Sequence, residues 1–164
     1  MASLYTVTMA AATVIANGEV ITIRAATTYT SRASVLRIYR MSLGQHGTST
    51  SQELAVRWGL KASAFGTFTS TTPAPTAINS VASAIAGGTT NAAATCGTNA
   101  SANGAGTFTA MGQRGFNNLN GWELIFLPED RPLVGPDLTF LLQIQGTPTT
   151  LTSWNADLEF EEVT

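Results

Sequence analysis

Apolar and polar residues alternate with a period of two along several stretches of the chain. Over residues 52–61, Leu54, Val56, Trp58 and Leu60 fall on one side, and Glu53, Ala55, Arg57 and Lys61 on the other. Leu138, Phe140, Leu142 and Ile144 alternate with Thr139, Gln143 and Gln145. Trp154, Ala156, Leu158 and Phe160 alternate with Asn155, Asp157, Glu159 and Glu161. Residues 34–41 place Leu36 and Ile38 opposite Arg37 and Tyr39. Successive side chains of a strand point to opposite faces, so each stretch predicts a strand with one face in a core and one facing water or a partner.

Shorter signals fill the gaps. Residues 4–9 and 107–111 read as strands. Residues 13–16 and 19–23 flank Asn17-Gly18, a pair that supplies positive φ at both turn positions, and so predict a two-residue hairpin. Residues 122–127 are apolar on both faces and end at Pro128, which predicts a strand deep in the core. Residues 70–106 are rich in Ala, Thr, Gly, Asn and Ser. Within them Ile78, Val81 and Ile85 stand at helical spacing between Pro75-Thr76 and Gly87-Gly88, predicting one short helix. The remainder of that stretch has no period and reads as a long surface excursion, ordered against a neighbour. About eight strands with no helix between successive ones predict an all-β fold, an antiparallel jelly-roll-like sandwich, with residues 1–164 as one domain.

Composition narrows the partners. Only 11% of the 164 residues are charged and the net charge is −2, so Thr, Ser, Ala, Gly and Asn make a largely neutral polar surface. Of the 8 basic residues Lys61 is the only lysine, and the arginines form no cluster able to neutralise a phosphate backbone, which argues against nucleic acid. Arginine favours planar ion pairs and interface contacts. No apolar run approaches the ~18 residues of a membrane span. No Lys or Arg precedes Arg24, against a secretory leader, and the expectation is synthesis in a cytoplasm.

Candidate chemistry is sparse. His46, the sole histidine, lies in a polar turn region, and no GxSxG is present to give it a serine partner. Cys96 stands alone, so no intrachain disulfide forms, and it reads as a small filler in a loop. Glu123, Glu129 and Asp130 are the residue types for paired-carboxylate hydrolysis, but Glu129-Asp130-Arg131 reads more simply as a charged turn. Asp157, Glu159 and Glu161 stand ~6–7 Å apart along one strand face, too far for one cation shell, and fit a cross-strand match to Arg37, Arg57 or Lys61. Trp58, Trp122 and Trp154 each belong to an apolar alternation, which favours core packing over a sugar platform. The Asn99-Ala100-Ser101 sequon is read as accidental. No metal or other cofactor is expected.

The order of segments resembles a known group of proteins. An N-terminal hairpin is followed by Ala33-Ser34-Val35-Leu36-Arg37-Ile38-Tyr39-Arg40, then the Ala/Thr/Gly-rich middle. Gly121-Trp122 to Pro128-Glu129-Asp130 and Thr152-Ser153-Trp154 to Phe160-Glu161-Glu162-Val163 close the chain. This looks like the small β-rich virion proteins of tailed bacteriophages, several of which are capsid decoration, or cement, proteins. The resemblance implies a non-enzymatic homotrimer on the capsid exterior, bound to the major capsid protein and clamping neighbouring subunits. Tyr5, Arg37, Tyr39, Arg57, Arg114 and Phe116 are the candidate subunit or capsid contacts. Another virion role (head fibre base, tail or connector subunit) and a carbohydrate-binding module are the alternatives.

Overall fold

The structure, a computed structural model, describes residues 3–26, 35–47, 50–62, 67–68, 76–77 and 94–163. These residues are all-β. In chain order the strands are β1 (Ser3–Ala12), β2 (Glu19–Arg24), β3 (Val35–Gln45), β4 (Glu53–Lys61), β5 (Thr67–Phe68), β6 (Thr76–Ala77), β7 (Thr95–Thr98), β8 (Ala100–Ala102), β9 (Phe108–Asn117), β10 (Trp122–Ile125), β11 (Leu133–Val134), β12 (Thr139–Gln145) and β13 (Trp154–Val163). One sheet has the order β10-β3-β13-β1-β6, with β11 also paired to β3. A second has the order β7-β2-β12-β4-β9, and β5 pairs with β8 separately. Every pairing is antiparallel.

The alternations read from the sequence set which face is buried. Leu36, Ile38, Met41 and Leu43 of β3 and Trp154, Ala156, Leu158 and Phe160 of β13 point inward from the first sheet. Val56 and Trp58 of β4 and Phe140, Leu142 and Ile144 of β12 meet them from the second. Aromatic pairs stitch the two layers together. Trp58 lies 5.5 Å from Trp122 of the first sheet, and Phe116 of β9 meets Trp154 edge-on at 6.3 Å. Complete burial of one such side chain contributes roughly 1.5–3 kcal/mol.

Four expectations need correction. The hairpin at Asn17-Gly18 does not form. A turn is there, with Gly18 N–H donating to Ile15 O at 3.1 Å, but β1 and β2 belong to different sheets. The Asn17-Gly18 backbone instead bonds to the end of β12, with Asn17 N–H to Gly146 O at 2.9 Å and Ile144 N–H to Gly18 O at 3.1 Å. A local turn signal sets the bend but not the partner strand.

Residues 122–127 do not lie deep in the core. Trp122, Leu124 and Phe126 pack inward, while Ile125 and Leu127 are 66% and 64% exposed. In a two-layer sandwich only one face of a strand meets the other layer, and among the described residues no layer lies over the other face of this segment.

The excursion over residues 70–106 is not a free loop at its end. β7 pairs with β2, and Cys96 is buried within it. Ala94 N–H donates to Glu162 Oε1 at 2.6 Å. Small residues give alternation almost no hydrophobic contrast, which hid this strand.

The described residues hold no helix. Thr76–Ala77, at the start of the expected helix, pairs with β1, and Ile78, Val81 and Ile85 lie outside the described residues.

Candidate functional site

Both sheets end on the same flank. There β9 closes the second sheet, and β10 with β11 closes the first, each strand hydrogen-bonded on one side only among the described residues. The gap between the layers is sealed by Trp58, Trp122 and Phe126, with Phe126 edge-on to Trp58 at 6.4 Å. Outside this seal, Ile125 pairs with Arg40 and Leu133 with Arg37, so both face outward along β3. Leu133 is 57% exposed, and with Ile125 and Leu127 it forms an apolar row on an otherwise polar flank. Across the flank, β9 is lined with small or neutral residues, Arg114 being its only charge, and Met111 is half exposed.

Next to the apolar row the outer face of the first sheet carries a charge ladder. Arg37 donates to Glu161 at 2.9 Å, and the Tyr39 hydroxyl donates to the same carboxylate at 2.8 Å. Arg40 bridges Glu123 and Glu159, the latter at 2.8 Å. Those two hydrogen bonds, Glu123 first, raise the Arg40 pKa above its ordinary value. Asp157 accepts from Thr8 at 2.7 Å and Ser42 at 3.2 Å. A one-residue bulge leaves Tyr39 without a partner position on β13, and the side chains of Tyr39 and Arg40 both stay partly exposed. The Arg131 guanidinium stacks on the Tyr39 ring at 3.9 Å, and its buried Nε has no hydrogen-bond partner.

The sequence-predicted contacts divide into two groups. Arg37, Tyr39, Arg57 and Arg114 are at least partly exposed. Arg57 donates to Gln143 at 2.6 Å and lies 4.7 Å over the Phe108 ring, and Arg114 Nη1 donates to Gln113 O at 3.1 Å. Tyr5 and Phe116 are core residues instead, 2% and 6% exposed, so neither presents a surface to a partner. Tyr5 stacks on its cross-strand neighbour Phe160 at 5.5 Å. Aromatic residues suit both interfaces and cores, and only the layer packing separates the two.

A shallow, open depression of about 390 Å³ lies at one end of the first sheet, floored by Gly44 and Gly121 and rimmed by His46, Glu123, Trp122 and Asp157. Exposed His46 sits with Nδ1 2.7 Å from Asn155 Nδ2. Glu123 is held by Arg40, while Glu129 and Asp130 occupy the turn after β10. Each acid in the depression thus accepts from a donor of its own, and of the four candidate hydrolytic residues His46 and Glu123 share the depression while Glu129 and Asp130 do not line it. Trp154 is fully buried, Trp58 nearly so and Trp122 half-buried. Cys96 lies in the core, where burial pushes its thiol up to about 12. Among the described residues no group of three His, Cys, Asp or Glu is placed to hold a metal ion.

Sequence reasoning missed the apolar row, because Ile125 and Leu127 were assigned to the core. It also missed the environment of Lys61, which pairs with Glu19 below the surface rather than with the acids of β13. No family model matches the chain, and no curated protein or solved structure matches it either.

Proposed function

We propose that this chain is a virion structural protein that decorates and stabilises a phage capsid by bridging neighbouring capsid subunits. It acts as a homotrimer on the capsid exterior, without catalysis or cofactor, and its second partner is the major capsid protein. The observation that carries this reading is the open flank. Two sheet edges end side by side, one bearing Ile125, Leu127 and Leu133, the other a nearly uncharged β9. Exposed apolar side chains at a sheet edge suit a chain that works against other subunits, and among the described residues nothing covers Ile125, Leu127 and Leu133. Arg131, stacked on Tyr39 beside the row, adds a partly exposed guanidinium to the same edge.

The strand order supports the finer fold reading. With β5, β6, β7, β8 and β11 set aside, the other eight strands form β1-β13-β3-β10 and β2-β12-β4-β9. That is the interleaved order of a jelly roll, an architecture common in capsid and lectin domains. The lectin association, with half-buried Trp122 beside the open depression, favours glycan binding as the second reading.

Light scattering of the purified chain, together with electron microscopy of expanded capsids mixed with it, tests the proposal. Trimers, and density at lattice threefold positions, are the expected result. A monomer that leaves capsids bare overturns it, density along a tail moves the protein to another virion role, and specific glycan capture supports the second reading.

A further inference from the structure

The one lysine of the chain is among its most buried polar residues. Lys61, at the end of β4, and Glu19, at the start of β2, are 3% and 4% exposed and form an ion pair across β12 on the outer side of the second sheet. Asn103 and Gly104, just after β8, close over them. Lys61 Nζ also donates to Gly104 O at 3.1 Å, and Gly104 N–H donates to Glu19 Oε1 at 3.1 Å. The Asn103 carboxamide reaches the same place from an exposed segment. Its Oδ1 accepts the Glu19 backbone N–H at 2.9 Å, and its Nδ2 donates to Asn17 O at 2.8 Å. All four residues line one depression of about 190 Å³, together with Leu141 and Phe108.

A buried amine, a buried carboxylate and a carboxamide whose oxygen is already held by an N–H are the parts needed for an intramolecular amide bond. We propose that Lys61 and Asn103 are a self-modification site, joined by an isopeptide bond whose formation Glu19 assists. Glu19 takes one proton from the Lys61 ammonium, which frees the amine to attack Asn103 Cγ. The Nζ–Cγ bond forms while the negative charge developing on Oδ1 faces the Glu19 N–H, as in an oxyanion hole. The Cγ–Nδ2 bond then breaks, and Nδ2 takes a second proton from Nζ and leaves as ammonia. Of the three Nζ protons, one stays on the new amide, one leaves with the ammonia and one remains on Glu19. No oxidant or co-reactant is consumed. Two opposite charges are removed from a site where keeping them is costly, and the exposed side of Asn103 gives ammonia a way out. The bond closes a loop of chain from residue 61 to residue 103, which holds most of the Ala/Thr/Gly-rich stretch.

The inference stands apart from the virion reading and is tested on the purified full chain. The expected intact mass under denaturing conditions is lower than the sequence mass by one ammonia, with a branched proteolytic peptide joining Lys61 to Asn103. Asn-Gly pairs at positions 17 and 103 can lose the same mass as succinimides. Alkaline treatment separates the cases, since it hydrolyses a succinimide and spares the isopeptide. Asn103→Ala changes an exposed residue and should restore the full residue mass in a folded protein, as should Glu19→Gln. A wild-type chain at its sequence mass, or a mass loss without the branched peptide, overturns the proposal.

Discussion

Gly112 of β9 lies against the indole of Trp58 on β4, so close that a Cβ at position 112 would stand 2.3 Å from Trp58 Cζ2 and 2.7 Å from Cε2. The indole also packs against Trp122 at 5.5 Å and Phe126 at 6.4 Å, so it has little room to retreat. Gly112→Ala should therefore destabilise the fold by about 1–3 kcal/mol, the usual cost of overpacking. Chemical denaturation followed by tryptophan fluorescence measures it. Gly115→Ala on the same strand is the control, since the nearest atom to its Cβ is Leu54 O at 3.9 Å. Equal losses at both positions would show that the glycines matter as strand residues and not as room for Trp58.

Tyr5 is the second prediction. Its ring is buried against Phe160. Tyr5→Ala should cost about 3 kcal/mol or more, as for other large aromatic truncations in cores. Thermal melting checks it, and a variant as stable as wild type would place the ring at the surface after all.

The Cys96 thiol gives a pH dependence. Its value rises from 9.0 to about 12 through burial. Between those limits the unfolded chain has lost a proton that the folded chain keeps, so ionisation favours unfolding. The contribution to stability is constant below 9.0 and falls as pH climbs through that window. Cys96→Ala should flatten the alkaline end of the stability profile. In the native protein iodoacetamide should label Cys96 at pH 8 far more slowly than in denaturant, and equal rates would contradict its burial.

Ile125, Leu127 and Leu133 separate fold from function. All three side chains lie more than half in solvent, so single changes to Ser should shift stability by no more than about 0.5 kcal/mol. The triple variant should nonetheless lose capsid binding or self-association, seen by co-sedimentation and light scattering. Retained binding at wild-type affinity would move the contact surface elsewhere.

The ion-pair ladder should contribute little. Arg40 is about one-third exposed, and Arg40→Ala should cost under about 1 kcal/mol at low salt and less in high salt. A larger, salt-independent loss in denaturant titrations would mark the Arg40–Glu159 rung as part of the core.

Alternation alone placed much of the fold. The inward faces of β3, β4, β12 and β13, the outward acids of β13 and the all-β class follow from side chains that switch faces at every residue, a property of the single strand. What alternation cannot carry is which strand lies next to which, because pairing joins residues far apart in the chain. For that reason Asn17-Gly18 turns without making a hairpin, β7 pairs through residues too small to show a pattern, and residues 122–127 become an edge with one face bare. The pairing of Lys61 with Glu19 and the approach of Asn103 arise the same way. The sheet order sets β2 and β4 on either side of β12, and a distant segment then closes over the gap between them.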